Sequence, residues 1–211
     1  MRRRRARALG SASVLGALLA VVTNVPPAWY GLPETDAYVF EPAIFSPLWI
    51  NRVLVPLLSV VATLGLLGGL VGLVARDWPV AGRARRWGGV GGSVALAGFT
   101  VAVPAFVYSM QDTGGNLLLP FVGLVVGAAS LFLFLPSVVL LSYGYVQTSR
   151  PRIGYALAVM PLGVVLLGYL VSGPEQSVAA AIPVGITWAL VGQDLMDHHE
   201  PLGSPAAAAE G

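Results

Sequence analysis

Apolar residues in this chain fall into six long blocks, about 8 to 25, 52 to 75, 88 to 110, 117 to 142, 153 to 172 and 177 to 194, parted by short polar interruptions. A run of roughly 17–25 apolar residues is what carries a helix across a hydrocarbon core of about 30 Å. The pattern predicts an all-α, polytopic bundle of six transmembrane helices spanning residues 1–194, with a polar, disordered tail over 195–211. The first block is the least distinctive. It follows Arg2, Arg3, Arg4, Arg5 and Arg7, as in a secretory signal peptide, but it ends in Thr23-Asn24-Val25-Pro26-Pro27 with no clean small-x-small cleavage site, so a retained span is expected.

The polar interruptions test these boundaries independently, because basic loops are held on the cytoplasmic side. With the amino terminus inside, the inner segments carry Arg2 to Arg5, Arg7, Arg76, Arg83, Arg85, Arg86, Arg150 and Arg152. The outer segments hold Glu34, Asp36, Glu41, Asp112 and Glu175 against Arg52 alone. Both termini are therefore expected in the cytoplasm. Aromatic residues agree, since Trp and Tyr favour the headgroup level. Trp78 and Trp87 bracket one inner loop, Tyr143, Tyr145 and Tyr155 flank the next, and Tyr108 and Tyr169 mark outer ends. The long connection 26 to 51 is too aromatic to leave in water; an outer interfacial segment is expected, with a short surface helix near 42 to 50.

Composition sharpens the solvent argument. Hydrophobic residues make up 56% of the chain and charged residues 10%, where soluble domains have roughly 45–50% apolar, glycine included, and about 25% charged. Such a chain cannot cover itself with polar surface, but lipid solvates an apolar exterior without penalty. The net charge of +2 is no nucleic-acid signal. The chain has no cysteine, which removes disulfides, thiolate metal sites and cysteine nucleophiles together. All twelve basic residues are Arg, a bias read as GC-rich prokaryotic coding, which points to a prokaryotic plasma membrane.

Candidate chemistry inside the spans is sparse. Pro56, Pro104, Pro136, Pro161 and Pro183 each remove a backbone donor within a span. They are packing kinks on the simplest reading, and Pro56, Pro104, Pro161 and Pro183 are transport-related helix breaks on the alternative. Small residues recur at four-residue spacing, at Gly65 and Gly69, Gly68 and Gly72, Gly88 and Gly92, Gly123 and Gly127, and Ala181 and Gly185. These faces let helices approach closely, within one bundle or between copies in a homo-oligomer. Thr23, Asn24, Ser59, Thr63, Ser93, Thr100, Ser130, Ser137 and Thr187 are expected to bond a carbonyl one turn back or a neighbouring helix. Spans three, four and five hold no ionisable residue in their interiors, which counts against proton relays and coupled transport of charged substrates.

Two polar groupings complete the reading. Arg52, the one basic residue on the outer side, is placed to snorkel to lipid phosphate or to pair with Glu41 or Asp36. Asp194, Asp197, His198, His199 and Glu200 close span six; Asp194 and His198 share a helix face and form a weak metal candidate, against the plainer expectation of a solvated helix end. No phosphate loop, nucleophile elbow or zinc helix is present, and no cofactor is implied. The first expectation is a non-enzymatic membrane component or accessory subunit whose partners are lipids. A passive carrier of a neutral or lipid-like molecule is the alternative, and an enzyme acting through Asp194, Asp197 and His198 is a distant third.

Overall fold

The computed structural model describes residues 3–26, 44–109, 118–148, 150–173 and 175–198. These form six long helices and, among the described residues, no strand: α1 (Arg3–Val22), α2 (Val55–Asp77), α3 (Arg83–Ser109), α4 (Leu118–Val146), α5 (Pro151–Leu170) and α6 (Gln176–Asp197). All six are long and apolar enough to cross a membrane. The chain is an all-helical, multi-pass membrane protein.

Each helix packs on its neighbour in sequence, and α6 closes the ring on α1 while also touching α2 across the centre. Glycine sets how close these seams run. A Cβ on Gly10 would lie 2.6 Å from the Gly192 carbonyl, and one on Gly16 would lie 2.7 Å from the Ala62 carbonyl and 2.8 Å from the Gly65 backbone. Backbone meets backbone at these points, so no side chain can be admitted without parting the helices. The pairings also fix direction: α1 begins where α2 and α6 end, and Gly154 meets Val146 where α4 hands over to α5. All the described arginines except Arg52 therefore belong to one end of the bundle.

The interior is filled rather than hollow around its centre. Leu66, Leu70 and Leu73 of α2 meet Leu96, Val138, Leu141, Leu157, Met160, Val191 and Leu195 from the other helices. Trp188 sits in the middle, 1% exposed, stacked on Phe134 at 6.0 Å, and Phe134 in turn meets Phe99 edge-on. The indole is satisfied where it is buried: its Nε1–H donates to the Leu66 carbonyl at 2.7 Å, while Ser13 Oγ donates to the Trp188 carbonyl at 2.8 Å. The other polar residues behave as expected. Thr23, Asn24, Ser59, Thr63, Ser93, Thr100 and Ser137 donate to carbonyls one turn back, and Thr187 reaches the Ala156 carbonyl of α5.

Two local features depart from expectation. Instead of a separate surface helix near 42 to 50, the turn Pro47–Trp49, capped by the Ser46 side chain, runs through a π-helical stretch, Ile50–Leu54, straight into α2. Pro56 lies just after this stretch, inside the continuous helical run, where the widened register lets Val55 N–H reach the Ile50 carbonyl. At the other end of the chain, α6 runs on past 194 to Asp197, into the stretch expected to be tail. Pro104, Pro136, Pro161 and Pro183 do lie inside helices, α3 to α6 respectively. The Pro183 ring rests on Gly163, whose Cβ would sit 3.0 Å from it, so this candidate break position packs into an α5–α6 contact.

Candidate functional site

The polar chemistry of the described residues gathers at the arginine-rich end, where α2, α4 and α6 finish and α5 begins. Pro79 stops α2, and the carbonyls left at its end are covered by arginines: Arg85 Nη2 donates to Val80 O at 2.8 Å and Arg86 Nη2 to Trp78 O at 3.2 Å. Just before this stop lie Arg76 and Asp77, each 1% exposed.

Arg76 is the hub. Its Nε donates to Asp77 Oδ1 at 2.8 Å and its Nη2 to Asp77 Oδ2 at 2.9 Å, a two-pronged pair between adjacent residues. Nη1 crosses to α6, donating to Asp194 Oδ2 at 2.6 Å and to the His198 carbonyl at 3.0 Å. From α4 the Tyr145 hydroxyl donates to Asp77 Oδ2 at 2.7 Å, and the Arg85 guanidinium of α3 lies over the Tyr145 ring at 5.5 Å, its stem passing over Gly144. One cluster thus ties four helices. Each carboxylate in it has at least one cationic neighbour, as burial of charge requires.

Arg150, at the start of α5, completes the group. Its Nη1 is 3.6 Å from Asp194 Oδ2, too far for a hydrogen bond, and has no hydrogen-bond partner among the described residues. Burial, and after it the charge of Arg76, push the Arg150 guanidinium below its ordinary pKa. Beside it opens a cleft of about 480 Å³ lined by Arg150, Pro151, Arg152, Ile153, Leu190, Gln193, Asp194, Asp197 and His198. That volume lies within the roughly 300–1,000 Å³ of small-molecule sites.

Several sequence expectations are corrected here. Tyr145 is not a headgroup anchor, because it is 1% exposed and spends its hydroxyl on Asp77; Tyr143 and Tyr155, at 61% and 58%, do face outward. Arg76 is not a loop charge, and Asp194 is not part of a solvated helix end, since its side chain is 12% exposed and held by Arg76. Asp194 and His198 do share a face, with His198 Nδ1 3.2 Å from Asp194 Oδ1. No group of three His, Cys, Asp or Glu able to hold a metal occurs among the described residues. Glu41, Asp36 and His199 lie outside the described residues, as do the Tyr108 and Arg52 side chains, so the outer-face pairing has no geometry to report. Several of the small-residue faces are occupied within the chain: Gly65 and Gly69 meet α1, Gly88 and Gly92 meet α4 and α2, and Gly185 meets α1.

Compared with known proteins, the chain matches no family model, no curated protein and no solved structure. The class defined by fold and site together is a six-helix multi-pass membrane bundle locked at one end by a buried ionic cluster.

Proposed function

We propose that this protein is a non-enzymatic component of a prokaryotic plasma membrane, an accessory or structural subunit with both termini in the cytoplasm and its first helix retained. The observation that carries this reading is the packed interior: Trp188, Phe134 and the surrounding leucines fill the space where a carrier would need a polar path. The break position Pro183 supports it too, since its ring packs on Gly163 of α5. The buried charges serve cohesion on this reading, because Asp194, the acid best placed for catalysis, is engaged by Arg76. Retention of α1 is supported by its buried face of Ala6, Gly10, Ser13, Gly16 and Ala17. Lipids are the proposed partners. A homo-oligomer through small-residue faces has less support, because several of those faces meet helices of the same chain.

Absence of native cysteine makes the test clean. Thr187→Cys places a thiol in the packed interior and Gly82→Cys one in an open loop position. In intact, both-side-accessible membranes a water-soluble maleimide is expected to label position 82 and leave 187 unlabelled. Comparable labelling at both positions would reveal a water path and turn the reading to a carrier.

A further inference from the structure

We propose that the cleft between the start of α5 and the end of α6 binds the headgroup of a zwitterionic phospholipid of the phosphoethanolamine type, with phosphate toward Arg150 and Arg152 and ammonium toward Asp194 and Asp197. The two walls carry opposite signs: both guanidiniums come from the α5 side and both carboxylates from α6. A plain anion would meet two carboxylates in this cleft and a plain cation two guanidiniums. A ligand with both charges meets each with its complement.

Arg150 shows which bond is missing. Its Nη1 is buried and has no hydrogen-bond partner among the described residues; it has only the looser ion pair with Asp194 Oδ2 at 3.6 Å, an oxygen already taken by Arg76 at 2.6 Å. A phosphate oxygen would satisfy that donor in the charge-assisted geometry guanidinium favours. At the other wall, the exposed Asp197 carboxylate and the Gln193 side-chain carbonyl can accept from N–H donors. A primary ammonium supplies three, and a quaternary ammonium supplies none. Choline sites are instead built from Trp, Tyr and Phe faces, and none of these is among the described lining residues.

The tail of the ligand is indicated by α6. Ile182, Ile186 and Leu190 are all exposed and stand at four-residue spacing on one face, ending in the cleft that Leu190 and Ile153 help to line. That strip is about 12 Å long at 1.5 Å per residue, an apolar track leading from the polar cleft toward the membrane interior. A membrane lipid uses both parts, whereas free phosphoethanolamine uses only the cleft. The inference does not depend on whether the bundle interior is closed.

Native mass spectrometry of the full, delipidated chain in detergent tests it, with phosphatidylethanolamine, phosphatidylcholine and phosphatidylglycerol of matched acyl chains offered separately. Retention of phosphatidylethanolamine above the other two is expected. The double variant Arg152→Gln/Asp197→Asn changes two exposed side chains outside the buried cluster and should lower that retention about tenfold with the melting temperature unchanged. Equal retention of phosphatidylcholine or phosphatidylglycerol, undiminished binding by the double variant, or displacement by soluble phosphoethanolamine at equal concentration would each overturn the assignment.

Discussion

Tyr145 and Asp77 are 68 residues apart in sequence and 2.7 Å apart in space, joined by a phenol hydrogen bond to a carboxylate that Arg76 already grips with two nitrogens. The bond ties α4 to α2 at the level where α2, a 23-residue helix about 35 Å long, has just completed a membrane crossing. Removing it by Tyr145→Phe leaves Asp77 its cationic partner, so the loss is that of one hydrogen bond to a charged group, about 1.5–3 kcal/mol. Thermal unfolding in detergent should show a lowered but still cooperative transition.

Arg76→Gln should be far worse than any single acid replacement in the cluster. It strands Asp77 and leaves Asp194 only its looser contacts with Arg150 and His198, and breaking a buried pair by deleting one partner costs about 3–5 kcal/mol. Asp77→Asn leaves Arg76 its bond to Asp194 and is expected to cost less. Ranking the two by unfolding midpoint checks the hub assignment; equal or reversed losses would show that Arg76 does not organise the site.

The division between what the residues disclosed and what they hid follows from the range of the interactions. Six helices were legible because solvation by lipid acts residue by residue, and length plus hydropathy suffice to read it. The back-bonding of Ser59, Thr63 and Ser93 was legible because it is local to one helix. Arg76 and Tyr145 read as boundary groups because each stands next to a real boundary feature, Pro79 or the end of α4, where polar residues ordinarily meet water. Only the crossing of α2, α4 and α6 shows that their side chains turn inward. Trp188 carries only a weak signal in the sequence, an indole deep within a span rather than at its end. The π-helical run before Pro56 had no sequence mark beyond the proline itself.

Neighbouring glycines on α2 should respond in opposite ways to the same change. A methyl at Gly65 would meet the Ala12 carbonyl at 2.5 Å and the Gly16 Cα at 2.7 Å, both backbone atoms that cannot step aside. One at Gly68 would meet only side-chain carbons at 3.7 and 3.9 Å, ordinary contact distances. Gly65→Ala is expected to destabilise by about 1–3 kcal/mol through overpacking. Gly68→Ala should be neutral or stabilising by up to about 1 kcal/mol from helix propensity. Paired denaturation curves decide it.

Trp188 joins the core's aromatic stack to its backbone, and the two roles can be separated by substitution. Trp188→Phe keeps a ring against Phe134 but loses the donor to the Leu66 carbonyl, which still accepts from its own helix. The cost is one neutral hydrogen bond, about 0.5–1.5 kcal/mol, plus some unfilled volume. Trp188→Ala removes the ring as well and opens a cavity at the meeting point of α1, α2, α4 and α6, raising the cost to about 3–5 kcal/mol. The intrinsic fluorescence offers a second readout: among the described residues, Trp78 and Trp87 stand at loop or helix-end positions and are exposed, so loss of Trp188 should remove the most blue-shifted part of the emission. An emission spectrum unchanged in shape after Trp188→Phe would mean that water reaches the indole and that the packed centre on which the structural reading rests is open.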